Sequence, residues 1–273
     1  KRSEIKIMEN INSILPEIIL SLSIFLIIIF GVFIKNSYGL VTKISYIILT
    51  ALILLILNSF YQPDKLFMGS YVINSFTNFF KILILLSTLF VILITQEYIK
   101  DKKLNFFEYP LLILLSILGM FIMISSNDLI LFYLGLEMQS LSLYILASID
   151  RDNLRSSEAG IKYFILSALS SGLLLYGCSL LYGFSGSTNF EIIQQNITTT
   201  STGVVFAMVF ILVGLAFKIS AVPFHMWTPD VYEGSPSSVT SFFAIIPKIA
   251  GIAVFIRFIQ IPFGDLTIHW QTI

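Results

Sequence analysis

The chain of 273 residues is poor in the side chains that build most reaction centres: one cysteine, Cys178, two histidines, His225 and His269, and only 12% charged residues. A lone cysteine forms no internal disulfide, and its place in an apolar run assigns it to packing. The two histidines lie far apart with no cysteine or acidic cluster at ligand spacing, which argues against a metal site. No glycine-rich phosphate loop, no nucleophile beside a base and no cofactor-ligating cluster is present, so the sequence gives no sign of a redox or hydrolytic centre. Its 16 basic and 16 acidic residues cancel, and the basic ones are dispersed. That balance argues against nucleic acid and against a polybasic role at a membrane surface.

What the chain does have is apolar sequence: 56% of it is hydrophobic, with a mean hydropathy of +0.91. These values belong to a polytopic membrane protein, and the expected fold is all-α. A transmembrane helix needs about 20 apolar residues. That rule gives eight spans: Ile14 to Ile34, Ile44 to Phe60, Phe76 to Thr95, Tyr109 to Ser125, Leu129 to Ala147, Gly160 to Gly183, Gly203 to Ser220 and Ser238 to Ile259. The first exceeds a signal-peptide core and lacks an A-x-A site, so it is read as retained. Residue 1 is lysine, which implies processing or an incomplete start.

Basic residues collect in alternate loops: Lys35 and Lys43, then Lys100, Lys102 and Lys103, then Arg151 and Arg155. The positive-inside rule then ends odd-numbered spans inside and puts the amino terminus outside, against the local pull of Lys1, Arg2 and Lys6, among which Glu4 and Glu9 sit. Five basic residues remain at membrane depth: Lys81, Lys162, Lys218, Lys248 and Arg257. Lys81 and Arg257 lie near outer span ends and are expected to snorkel to the interface. Lys162, near an inner end, is open to either reading. Lys218 and Lys248 are too deep. A charge at bilayer centre costs about 2.5 to 3.5 kcal/mol on insertion scales, so such residues face a bundle interior and serve a function.

Glu137, halfway along the fifth span, is the one carboxylate expected deep in the membrane, with Tyr133, Ser140 and Tyr144 on its helix face. The Ser167/Ser171 and Ala168/Gly172 pairs of the sixth span read as small-residue packing. The seventh span breaks at Pro223 before the segment His225 to Glu233, and irregular backbone at membrane depth survives only inside protein or beside water. The Asn196-Ile197-Thr198 triplet is a weak glycosylation match. One glutamate and two lysines near a common depth point to ion movement. At about 7 Å and an effective dielectric near 20, a carboxylate would hold an ammonium by about 2.4 kcal/mol. Such a coupling lets Glu137 decide whether Lys218 keeps its proton or passes it towards Lys248.

GLEMQSLSLYILAS around Glu137, EAGIKYFILSALSSGLLLYGCSLLYG, and FKISAVPFHMWTPDVYEGSP leading to PKIAG resemble the subunit 2 family of proton-pumping NADH:ubiquinone oxidoreductase, whose bacterial members are called subunit N. The resemblance runs over nearly the whole chain and is most specific from Leu129 to Gly251. It implies an antiporter-like fold in the membrane arm of respiratory complex I, with Glu137, Lys218 and Lys248 translocating protons and Lys162 a further matching lysine; Lys162, Tyr144 on the Glu137 face and His225 beside the break are the supporting candidates. FMN, iron-sulfur clusters and ubiquinone are then expected in other subunits, and other membrane-arm subunits and lipids as partners. Residues 1–108 would be three leading helices, 109–260 the first five-helix repeat, and 261–273 an external tail. Members of the family carry fourteen spans, so the expectation is a split subunit, its second half on a partner chain, or a truncated product. An AT-rich composition tilts the expected site to the mitochondrial inner membrane, with the bacterial inner membrane as alternative. A subunit of a multi-subunit sodium/proton antiporter, or a structural half-subunit without transport, would share the architecture.

Overall fold

The computed structural model describes residues 13–34, 37–60, 63–197 and 201–271. The basic residues Lys1, Arg2, Lys6 and Lys35, the acidic Glu4 and Glu9, and Thr198 of the triplet lie outside the described residues. Among those described, eight helices are long and apolar enough to cross a membrane. They are α1 (Leu15–Phe33), α2 (Tyr38–Asn58), α3 (Ser75–Asp101), α4 (Glu108–Ser125), α5 (Leu129–Ala147), α6 (Leu154–Ser185), α8 (Thr202–Ile219) and α10 (Ser237–Gln260). Among the described residues there are also three short α-helices, α7 (Phe190–Asn196), α9 (Thr228–Gly234) and α11 (Thr267–Trp270).

The polar residues at the helix starts explain several boundaries. The Asn74 side chain accepts from Thr77 N at 2.8 Å while Thr77 Oγ1 accepts from Asn74 N at 2.9 Å, a reciprocal cap that starts α3. Asp128 and Asn153 cap α5 and α6 from one side only, their side-chain oxygens accepting from Ile130 N and Arg155 N. Gly186, at φ +71°, ends α6 in the left-handed region that glycine enters without penalty. Buried hydroxyls such as Thr42, Ser45, Thr88 and Thr95 donate to the carbonyl one turn back, which satisfies them without a second helix.

The fifth span agrees with the sequence reading at both ends, whereas α2 begins six residues earlier and α3 runs six residues further. Lys43 accordingly lies within α2 and not in a loop. One element was absent from the all-α reading: an antiparallel hairpin, β1 (Asp64–Leu66) and β2 (Tyr71–Ile73), between α2 and α3. Three-residue strands are too short to leave a period-2 pattern. The hairpin matters because it is anchored to the turn between α4 and α5, with Asn127 N donating to Ser70 O at 2.7 Å.

Helix α4 is the hub, touching α1, α2, α3, α5 and α10, and most of its residues are buried. Its closest neighbour is α5. A Cβ on Gly119 would meet Gln139 N at 2.5 Å and Gly135 O at 2.8 Å, and one on Gly135 would meet Met123 N at 2.7 Å. Two glycines facing each other therefore let the backbones touch, as small residues do in membrane bundles. Between α6 and α8, a Cβ on Gly177 would meet Ile211 and Phe210 side chains at 2.9 Å and Ala207 O at 3.0 Å, and one on Gly214 would meet the Leu174 side chain at 2.6 Å. The Ser167/Ser171 pair is buried as expected, but Ala168 and Gly172 face outward, and a Cβ on Gly172 would meet nothing within 4 Å. Two small-residue pairs one position apart point in different directions on a helix, so only one of them could be at the seam. Leu22, Phe25, Ile29, Leu54 and Phe90, all more than half exposed, form outer faces suited to lipid.

Candidate functional site

Helix α8 stops one residue beyond Lys218. Ser220 takes a left-handed conformation, φ +60°, and Ala221 N donates back to Ala216 O at 2.9 Å, closing the helix; the Val222–Pro223 peptide is cis. The chain resumes as α9 at Thr228. Pro223 thus lies inside the interruption, as the sequence implied. Trp227 Nε1 donates to Phe217 O at 3.0 Å, which takes up one carbonyl freed by the break.

The Lys218 ammonium crosses to two other helices, donating to Ser140 Oγ of α5 at 2.8 Å and to Ser167 Oγ of α6 at 2.6 Å. Ser140 uses its own proton on the Leu136 carbonyl at 2.7 Å, so towards Lys218 it can only accept. The Tyr144 ring lies 6.0 Å from the ammonium. Its hydroxyl is buried close to Ser140 and Ser167 without hydrogen-bond geometry to either. Glu137 is within electrostatic reach of Lys218, and its Oε1 is buried without a hydrogen-bond partner among the described residues. The structure thus brings together Glu137, Ser140, Tyr144 and Lys218 from the predicted set.

Lys248 lies on α10 directly after Pro247, which lacks an N–H and so leaves the Phe243 carbonyl without its usual helical donor. Its ammonium sits 5.4 Å from the Tyr232 ring of α9. Aromatic contacts connect the two lysines: Tyr144 edge-on to Tyr163 at 5.0 Å, Tyr163 stacked on Trp227 at 4.5 Å, and Trp227 edge-on to Tyr232 at 6.2 Å. Lys162 is elsewhere. It is exposed, bonded to Glu158 and Asp230 at 2.7 Å each, in a cavity of about 240 Å³ that Arg155 and Glu233 also line. His225 is exposed in the turn of the break.

Residues 126–273 match the family described as NADH:quinone oxidoreductase/Mrp antiporter, TM. The chain belongs to that family. NADH-quinone oxidoreductase subunit N of Pelagibacter ubique is 69% identical over 164 residues, which is 60% of this chain and 35% of that protein. Subunit N 1 of Rhizobium meliloti is 58% identical over 166 residues, again 60% of this chain and 35% of the relative. The chain therefore matches about a third of the length of these curated relatives. Among solved structures, a chain of respiratory complex I from Thermus thermophilus superposes with a TM-score of 0.77 at 31% identity, covering 89% of this chain and 52% of that one. A chain of the Mrp complex from Dietzia sp. matches with a TM-score of 0.78 at 21% identity, covering 93% of this chain and 50% of that one, which is a likeness of fold alone.

Two expectations for this family member are corrected. Lys81 and Arg257 do not snorkel: they are only 2% and 5% exposed. Lys81 donates to Glu17 Oε1 at 2.6 Å and to Tyr71 Oη at 3.3 Å, and Tyr71 itself donates to Glu17 Oε1 at 2.7 Å. Burial, with the Glu17 carboxylate beside it, pushes the Tyr71 phenol well above its ordinary range. Arg257 donates to Ile124 O and Asn127 Oδ1. Glu17, in the first turn of α1 and 7% exposed, is a second carboxylate enclosed by the protein, at a span end and not halfway along. Second, Ser167, read as packing, is a direct Lys218 partner. The signal was its place one helix face across from a deep lysine, which no spacing on α6 alone reveals.

Proposed function

We propose that the chain is part of a membrane-arm subunit of proton-translocating NADH:quinone oxidoreductase, moving protons through Glu137, Lys218 and Lys248 under the drive of electron transfer in other subunits. One observation carries this: an ammonium at a helix break, held by two serine hydroxyls on neighbouring helices and within reach of an unpaired buried carboxylate oxygen. Ser140 solvates the charged form of Lys218, while the Ser167 hydroxyl can turn to donate once the lysine has lost its proton. Motion of Glu137 towards or away from Lys218 changes their attraction by an amount comparable to a switching energy, about 2.4 kcal/mol at 7 Å and an effective dielectric near 20. The names and the identities of the relatives support the oxidoreductase reading, and their bacterial origin favours a bacterial inner membrane over a mitochondrial one. Residues 1–108 as leading helices, 109–260 as an antiporter-like repeat and an outer amino terminus belong to the same reading. So do FMN, iron-sulfur clusters and ubiquinone on other subunits, and a partner segment supplying the rest of the relatives' length.

The test is NADH-driven proton uptake by vesicles holding the native complex. Lys218→Ala should abolish it and Glu137→Gln weaken it strongly, with the complex assembled normally; unchanged uptake in both would falsify the relay. The Mrp likeness keeps a second reading open, a sodium/proton antiporter subunit. Sodium-dependent proton exchange by the purified native assembly, with no NADH oxidation, would select it.

A further inference from the structure

Tyr232 lies in the motif of the helix break but is not among its named site residues, yet it ends the aromatic chain, with Lys248 Nζ 5.4 Å from its ring. Its hydroxyl is buried and has no hydrogen-bond partner among the described residues. It is one of a group: Ser220 Oγ, Thr228 Oγ1, Ser235 Oγ and Ser238 Oγ, all between the end of α8 and the start of α10, are buried and unpartnered in the same way. Buried polar atoms are almost always bonded to protein or to ordered water, so each orphaned hydroxyl of this stretch is a place for a bonded water. At the other end of the aromatic chain the Tyr144 hydroxyl, beside Lys218, is orphaned too. Phenylalanine would supply the same ring contacts at both places, so the ring alone does not account for a tyrosine whose hydroxyl is buried without a partner.

We infer that Tyr232 is a proton-carrying residue at Lys248, its hydroxyl joined to the ammonium through water held among the hydroxyls of the helix break. The inference rests on the proton-relay reading and deepens it by naming the group through which Lys248 exchanges its proton. In the step, an N–H bond of the Lys248 ammonium breaks as a water oxygen takes the proton. That water gives one of its own protons to the Tyr232 oxygen, and Tyr232 releases its original O–H proton to the next water. Each bond that forms replaces one that breaks; the phenol ends neutral, and only Lys248 and the last water change charge. The ring meanwhile stays under the ammonium, where its negative face stabilises the charged form.

The experiment uses the native complex in vesicles and follows NADH-driven proton uptake in Tyr232→Phe, Tyr232→Leu, Lys218→Ala and Lys248→Ala, with assembly checked for each. Tyr232→Phe keeps the ring and loses only the hydroxyl, and uptake should fall at least threefold. Normal uptake in Tyr232→Phe, with both lysine variants impaired, overturns the role of Tyr232 and leaves the relay standing. Impairment in Tyr232→Leu but not in Tyr232→Phe likewise overturns it, assigning the residue to ring packing. Silence in all four variants overturns the relay itself, and this inference with it. If Tyr232→Phe does not assemble, 3-fluorotyrosine at position 232 lowers the pKa of the phenol with little change in its shape. The pH profile of uptake should then move to lower pH, and an unmoved profile overturns the proposal.

Discussion

Glu17 of α1 and Lys81 of α3 form an ion pair of 2.6 Å, almost wholly enclosed, with the Tyr71 hydroxyl of the hairpin on the same carboxylate oxygen. The Lys81 ammonium also sits 5.5 Å from the Phe121 ring of α4, so the pair ties together the elements at one end of the bundle. Removing one partner leaves an uncompensated buried charge, which costs about 3 to 5 kcal/mol, whereas replacing both with apolar residues of similar size is often neutral or stabilising. Lys81→Met should therefore lower the thermal midpoint of the purified complex sharply, and Glu17→Leu with Lys81→Met should restore most of it. A double variant as unstable as the single one would mean that the pair adds stability beyond mutual neutralisation.

The Gly119/Gly135 contact makes a second prediction about position and not chemistry. A methyl at Gly119 would have to displace the Gln139 and Gly135 backbones of α5, the helix that carries Glu137 and Ser140. Overpacking of this kind costs about 1 to 3 kcal/mol. Gly119→Ala should reduce proton uptake as well as stability, because α5 must move relative to Lys218. Gly172→Ala is the control: its methyl enters open space, and alanine is favoured over glycine in a helix by about 1 kcal/mol. It should leave uptake unchanged and the midpoint equal or higher.

The contrast between these positions shows what was legible in the chain. Eight apolar runs gave eight helices because length against bilayer thickness is nearly a one-dimensional question. The break at Pro223 was equally local. Lys81 and Arg257 were misjudged because snorkelling competes with burial, and burial depended on partners far away in sequence: Glu17, 64 residues from Lys81, and Ile124, 133 residues from Arg257. Ser167 was missed for the same reason, its value lying 51 residues away at Lys218. The hairpin was too short to show a pattern, and Tyr232 looked like one aromatic among many.

The two serines on Lys218 should differ under mutation. Ser140 has its proton committed to the Leu136 carbonyl, whereas Ser167 holds Lys218 at the shorter distance of 2.6 Å. A hydrogen bond to a charged group is worth about 1.5 to 3 kcal/mol. Ser167→Ala should lower proton uptake more than Ser140→Ala, because it removes the hydroxyl able to serve both states of the lysine. Because both bind one ammonium, the double variant should depart from additivity. Additive losses measured in a full cycle would show that the two hydroxyls act independently of each other, against a shared ammonium.

Arg257 bears on the same geometry from the far end of α10. Its guanidinium donates to Ile124 O in the last turn of α4 and to Asn127 Oδ1, and Asn127 in turn donates through Nδ2 to Gly69 O at 3.1 Å and accepts at its carbonyl from Phe190 N at 2.9 Å. One planar fork thus fixes α10, which carries Lys248, against the α4–α5 turn, the hairpin and α7. Lysine keeps the charge but offers a point donor in place of the fork, so Arg257→Lys should lose one of the two bonds and lower the midpoint. Arg257→Met removes both and strips the Ile124 carbonyl of that donor, for a larger drop. Native-state hydrogen exchange separates this from general loosening: protection should fall first at Asn127 and Phe190, whose backbone amides are held through this junction, before it falls at α2. Uniform loss of protection across the bundle would refute a junction centred on Arg257.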